Sequence, residues 1–85
     1  MKNFLTLAWP FDTTLSRGQA RRIRSVSLAR QHTAYGQTTT YTIGVAFGGL
    51  HPHIIYAHMP DGRYSQMEKT RLEIVQQLED FLNEN

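Results

Sequence analysis

Cysteine is absent from this 85-residue chain, so disulfide bonds and cysteine-ligated zinc sites are excluded. The chain also lacks a long apolar run. Its N-terminal apolar stretch is broken at Trp9-Pro10 and is followed by no small-residue cleavage site, which does not match a secretory signal. No stretch approaches the length that crosses a membrane. We therefore expect a cytoplasmic protein that does not enter the membrane.

Acidic residues are missing from one long stretch, between Asp12 and Asp61. That stretch carries all four histidines and five arginines, namely Arg17, Arg21, Arg22, Arg24 and Arg30. Residues 1–35 have a formal charge of +5 and residues 36–85 one of −3, although the whole chain carries only +2. A surface of one sign attracts a partner of the opposite sign and speeds their encounter. The sequence therefore predicts an acidic partner.

The length and composition are those of one small folded domain, spanning residues 1–85. Hydrophobic residues make up 40% of the chain and charged residues 19%, which is not a signature of disorder. A chain of this size buries only about 60–65% of its unfolded surface, so its core is thin. We therefore expect function to lie on the surface and not in an internal cavity.

The first third of the chain predicts a strand and then a helix. Residues 4–9 alternate as a strand does, and Pro10 ends them. Ser16 and Gln19 have the spacing of a capping box, which predicts a helix from about Arg17 to about Gln31. One side of that helix carries the arginines at i, i+4 and i+7, which are Arg17, Arg21 and Arg24. A competing interpretation starts a strand near Ser25 and turns at Tyr35-Gly36.

The rest of the chain predicts two strands and a second helix. Large residues alternate with small ones over residues 41–47, and a second strand covers residues 53–59. Gly48-Gly49 and Pro60-Asp61-Gly62 are typical turn sequences. Ser65 and Glu68 form another capping box, followed by an apolar helical stripe from Gln66 to about Leu82 with Leu78 at its centre.

These elements give the order β-α-β-β-α, which indicates an α+β fold. We expect a small two-layer domain, with a mainly antiparallel three-stranded sheet and two helices packed on one face.

The arginines are the first candidate site. An arginine guanidinium is always charged and offers a planar fork of donors that suits phosphate oxygens. Arg17, Arg21 and Arg24, with Arg22 and Arg30 beside them, are therefore predicted to contact nucleic acid or a nucleoprotein, mostly through backbone phosphates. The competing interpretation is a solvated helix face that balances the acidic C-terminal helix of the same fold.

The histidines predict no metal site. His51 and His53 lie two residues apart in an extended segment and share a side, whereas His58 falls on the opposite face. A metal would need a third ligand such as His32 or Asp61, and no spacing secures one. We therefore assign His51 and His53 to partner contact. No catalytic triad or phosphate loop is present, so we expect neither an enzyme nor a cofactor.

The predicted order of elements resembles two protein families. The β-α-β-β-α order and the length resemble the DinI-like family of small recombinase modulators, which are also found on phages. Residues 16–83 also resemble a double-stranded-RNA-binding domain if Arg63-Tyr64 forms a third short strand. The loop Gly48-Gly49-Leu50-His51 would then lie where that fold contacts the minor groove. Both resemblances are of fold, and they imply a binding protein.

Three functional hypotheses follow. The first is a regulator that docks an arginine-rich helix on nucleic acid or a nucleoprotein complex. The second is a modulator or inhibitor of an acidic protein, of the compact kind that phages and mobile elements encode, acting through a strand edge or the helix pair. The third is a histidine-dependent metal enzyme. The sequence predicts neither the partner's identity nor the oligomeric state.

Overall fold

The computed structural model describes residues 2–32, 39–60 and 63–84. Its elements, in chain order, are β1 (Phe4–Thr6), β2 (Thr14–Ser16), α1 (Arg17–Arg21), β3 (Ile23–His32), β4 (Thr39–Phe47), β5 (His53–Pro60) and α2 (Tyr64–Leu82). Strands β3, β4 and β5 form an antiparallel sheet with β4 in the centre, and β1 and β2 form a separate hairpin. The predicted α+β class, with a three-stranded antiparallel sheet and two helices, is confirmed.

The central strand β4 organises the core. Tyr41, Ile43, Val45 and Phe47 are buried on one face, as their alternation predicted. In the sheet register Val45 pairs with Val26 of β3 and Ile55 of β5, so the three side chains share that face. Helix α2 packs on this side, which we call the inner face.

The predicted helix from Arg17 to Gln31 is wrong beyond its first turn. The Ser16–Gln19 capping box is present, with Ser16 Oγ accepting from the Gln19 amide at 3.1 Å, but α1 ends at Arg21. Strand β3 follows at once, as the competing interpretation held, and it starts at Ile23 instead of near Ser25.

The physical reason is the pairing of β3 with β4. Val26 and Leu28 alternate with serines at the two-residue period of a strand and pair with Val45 and Ile43. This pairing buries apolar surface that a lone surface helix would leave exposed, so tertiary context overrides the local helix signal. The predicted turn at Tyr35-Gly36 lies outside the described residues.

The first predicted strand is shorter and lies elsewhere than expected. Residues 4–6 pair with Thr14–Ser16, a strand that was not predicted, and they do not join the main sheet. Leu5 and Leu7 are buried, but Trp9, the next residue in that alternation, is 58% exposed because the strand has already ended.

Helix α2 begins earlier than its predicted cap. Arg63 is the N-cap and makes no side-chain capping bond, so the predicted cap at Ser65 is wrong. The helix starts at Tyr64, whose ring lies 6.2 Å from that of Tyr41. The apolar stripe and the burial of Leu78 are confirmed. In the predicted turn after Pro60, Asp61 and Gly62 lie outside the described residues.

The order of strands also corrects one resemblance. Because Tyr64 is helical, Arg63-Tyr64 is not the third strand of a double-stranded-RNA-binding fold. The additional strand is β3, which precedes the other two. The loop at Gly48–His51 therefore joins the second and third strands of the sheet, not the first and second as that resemblance implied.

Polar contacts fix α2 against both sheets. Gln77 donates to the Thr6 carbonyl at 2.6 Å and accepts from the Ala8 amide at 3.1 Å, which holds the hairpin. Arg71 donates to the Val26 carbonyl of edge strand β3 at 3.1 Å. These contacts hold α2 on the inner face, and the described side chains on the opposite side of β3 and β5 are exposed.

Candidate nucleic-acid interface

The side chain of Arg17 is engaged within the fold and is not exposed on the predicted arginine side of α1. Its guanidinium donates to the Phe81 carbonyl at 2.9 Å, lies 4.0 Å from the centre of the Phe81 ring and is 3.6 Å from the Glu84 carboxylate. The side chain is only 13% exposed. Because helix α2 ends here with unpaired carbonyls and a partial negative charge, a cation at this position stabilises the helix end.

Arg22 and Arg24 come together at the glycine turn after β4. The Gly48 amide donates to the Arg22 carbonyl at 2.8 Å, and a register shift between Ile23 and Ser25 makes room for Arg24. A methyl group at Gly48 would overlap the Arg24 side chain, and one at Gly49 would lie 3.2 Å from Arg22 Cδ. Gly49 also has φ of +103°, which favours glycine. Both arginine side chains therefore lie against this turn.

His51 and His53 lie at the same turn. His53 pairs with Phe47 across the sheet, and the two rings stack at 4.5 Å with an angle of 6°. The His53 Nδ1 atom is 3.0 Å from the carbonyl oxygen of His51. Both side chains are exposed, so they add polar, titratable groups to the surface that Arg22 and Arg24 form.

We call this surface the basic end. It comprises Arg21, Arg22, Arg24, Gly48, Gly49, His51 and His53. Arg21 belongs to it because it is exposed at the end of α1 and directly precedes Arg22.

Arg30 lies apart from the basic end. It pairs with Tyr41 near the other end of β3, six residues and about 20 Å from Arg24. There it lines a shallow depression together with His32, Thr39 and Tyr41. The structure thus brings Arg21, Arg22 and Arg24 together, separates Arg30 from them and places Arg17 in a structural contact.

The arginines of the basic end lack ionic partners among the described residues. The ion pairs formed by the described residues are Arg17–Glu84 and Arg71–Glu68. The hydrogen bonds from Arg71 hold the pKa of Glu68 below its usual value of 4.5. The nearby carboxylate of Glu79 lines the same cleft as Arg24 without pairing with it. The arginines of the basic end therefore carry positive charge that no described carboxylate pairs with.

His58 points away from the basic end's histidines, as predicted. It pairs with Thr42 on the open side of the sheet, where its Nδ1 atom lies 3.0 Å from the Thr42 hydroxyl. Within the described ranges no three histidine, aspartate or glutamate side chains gather as metal ligands do. Asp61, the acidic candidate for a third ligand, lies outside those ranges.

The sequence reasoning missed the open side of the sheet, which we call the outer face. Its residues alternate with those of the inner face: Ser25, Ser27, Ala29, Gln31, Thr40, Thr42, Gly44, Ala46, Ile54, Tyr56 and His58. The small residues of β4 were visible in the sequence as the second half of its alternation. That these small residues belong to an open sheet face depended on β3, because β3 is the neighbouring strand and was predicted as a helix.

Comparison with known proteins identifies no relative. No family model matches the chain, and no match was found among curated proteins or among solved structures. None of the helices within residues 2–32, 39–60 and 63–84 is long and apolar enough to span a membrane.

Proposed function

We propose that this protein binds nucleic acid without catalysing a reaction, and that its basic end contacts the phosphate backbone. The observation that carries the proposal is the clustering of Arg21, Arg22 and Arg24 at one end of the sheet, with no ionic partner among the described residues. Nucleic acids present closely spaced phosphates, and each phosphate neutralised by an arginine releases counterions. We expect such a regulator to act in the cytoplasm.

The packing of the arginines supports this role. The stems of Arg22 and Arg24 rest against Gly48 and Gly49, which limits the rotamers that each can adopt. A side chain that is already partly ordered loses less entropy when it binds. Because neither glycine projects a side chain, the arginines can lie close to the turn without a competing group.

A second function is favoured by a different observation. Strand β3 is an edge of the sheet, and a cleft of about 280 Å³ separates it from α2. Its apolar lining includes Ile23, Val26 and Leu78. Exposed edges accept an added strand, and apolar clefts accept its side chains. The protein would then be a modulator or inhibitor that binds an acidic protein through this edge.

Direct titration separates the two proposals. Trace amounts of labelled single-stranded and double-stranded DNA and RNA are titrated with the protein, and fluorescence anisotropy reports binding. The test variant is the double substitution Arg22→Glu and Arg24→Glu. Its matched control is Arg63→Glu and Lys69→Glu, which changes the net charge equally at exposed positions around the start of α2.

The proposal predicts that the Arg22/Arg24 variant binds at least about tenfold more weakly than the control, because its local field is reversed. Circular dichroism verifies that both variants are folded. Equal losses in both variants would show that only net charge matters. An absence of binding to every nucleic acid would favour the acidic-protein alternative.

A further inference from the structure

The outer face has a distinctive composition, and its described side chains on β3 and β5 are exposed. Its described positions carry no lysine, arginine, aspartate or glutamate. Apart from Gln31, small and hydroxyl-bearing residues occupy the outer face of β3 and β4, and larger side chains stand on edge strand β5. Tyr56 is 58% exposed and Ile54 is 48% exposed. Ile54 and Tyr56 are neighbours on this face of β5, and contiguous exposed apolar groups mark interaction sites.

Two aromatic rings on this face are held in nearly parallel positions. Tyr56 and His58 have ring centres 6.3 Å apart and an interplanar angle of 14°. The Tyr56 ring lies beside Gly44, where an added methyl group would be 3.4 Å from Cε1. The hydrogen bond to Thr42 orients His58. Glycine and threonine on the central strand thus position both rings over the sheet.

The charge distribution suits a polyanion on this side. No aspartate or glutamate occurs between Asp12 and Asp61, so none lies on the three strands of the sheet or between them. The acids of α2 belong to the helix that covers the inner face. An anion that approaches the outer face therefore meets the basic end without first meeting a carboxylate of the sheet.

We infer that the outer face is a stacking platform for single-stranded nucleic acid, with unpaired bases lying on Tyr56 and His58. The inference rests on the proposed function and names its substrate class. Bases stack on aromatic side chains in a sequence-tolerant way, and this contact requires bases that are not already paired within a duplex. Ser25 of the outer face directly follows Arg24 of the basic end in β3, so one short strand reaches both surfaces.

The test compares single strands with duplexes of the same length. Tyr56→Ala removes the ring, Tyr56→Phe keeps it, and Phe4→Ala removes an aromatic ring that is 64% exposed in the hairpin away from the outer face. We expect Tyr56→Ala to weaken single-strand binding about tenfold and to leave duplex binding unchanged. Tyr56→Phe and Phe4→Ala should bind as the wild type does.

A second measurement needs no variant. Ultraviolet cross-linking of the wild-type protein to a labelled single strand, followed by peptide mapping, should place the cross-link within residues 53–60. A cross-link confined to other segments would overturn the inference even if a Tyr56 variant failed to fold.

The outcomes separate this inference from the proposed function. If Tyr56→Ala binds single strands with wild-type affinity, or if the protein prefers duplexes, the stacking platform is overturned. If binding in that case still depends on Arg22 and Arg24, the basic end remains the contact surface. An absence of binding to any nucleic acid overturns both. A dimer in sedimentation that Tyr56→Ala dissociates, without single-strand binding, would show that the outer face pairs two copies of the chain.

Discussion

Arg17 illustrates how the same residue type takes different roles within one cluster. It precedes Arg21 by one helical turn, which in sequence suggests that both face solvent. In the structure Arg17 connects the start of α1 to the end of α2 through Phe81 and Glu84. Arg21 is exposed instead. The difference depends on where α2 ends in space, which no local pattern specifies.

Arg17→Ala should therefore lower stability and not merely reduce binding. The substitution removes a cation–π contact and a hydrogen bond to a helix-end carbonyl, so we expect a loss of about 1–3 kcal/mol in the free energy of unfolding. Urea denaturation followed by the fluorescence of Trp9 measures it. Arg21→Ala is the control and should change stability by less than about 0.5 kcal/mol. Equal stability in the two variants would contradict the structural role of Arg17.

At the scale of elements, periodic patterns in the sequence predicted a strand or helix correctly where the burial of one face and the local sequence signals indicate the same element. The alternation of β4 and the apolar stripe of α2 predicted both elements because each buries one face. The helix predicted over residues 17–31 was wrong beyond its first turn. The capping box at Ser16 and the spacing of the arginines are local helix signals, whereas the pairing of this segment with β4 is a long-range interaction. The meeting of Arg22 and Arg24 was not predicted, for the same reason. Arg22 and Arg24 meet at the Gly48 turn only because β3 is a strand.

Helix α2 supplies a large part of the core, and Leu78 tests its contribution. Leu78 is 6% exposed and belongs to the cluster that joins α2 to the sheet and hairpin. Leu78→Ala should cost about 2–4 kcal/mol, since it removes buried methyl groups and leaves a cavity. Leu72→Ala is the matched control, because Leu72 lies on the same helix and is 51% exposed. Similar melting temperatures for the two variants would show that the packing face of α2 is wrong.

The Glu68–Arg71 pair lies within α2, and we expect it to make the stability of the protein depend on pH. The Arg71 guanidinium forms two hydrogen bonds with Glu68, at 2.6 and 3.0 Å, and lowers the pKa of that carboxylate below 4.5. A carboxylate whose pKa is lowered on folding contributes stability above its unfolded pKa and loses it as pH falls through the folded value.

Glu68→Gln should therefore be less stable than the wild type at neutral pH, by a small amount because the pair is partly exposed. The difference should shrink as pH falls below about 4.5 and vanish once the wild-type carboxylate is protonated. Thermal melting of both proteins across this pH range measures it. A difference that stays constant with pH would show that the charge of Glu68 plays no part.

At the scale of the whole molecule, the segregation of charge along the sequence becomes segregation in space. The acid-free stretch builds the three-stranded sheet and the basic end, and most of the acids lie on α2 at the inner face. The total charge of +2 conceals this polarity. The proposed function therefore assigns partner contact to the basic end and the outer face.

The central claim is that Arg22 and Arg24 contact phosphates, and the salt dependence of binding tests it most directly. The affinity of the wild type for a single strand is measured by anisotropy over a range of salt concentrations and compared with that of the double variant Arg22→Ala and Arg24→Ala. Each lost phosphate contact should reduce the slope of log affinity against log salt by about 0.7. The control variant Arg63→Ala and Lys69→Ala should keep the wild-type slope. Parallel slopes for the wild type and the Arg22/Arg24 variant would contradict the claim.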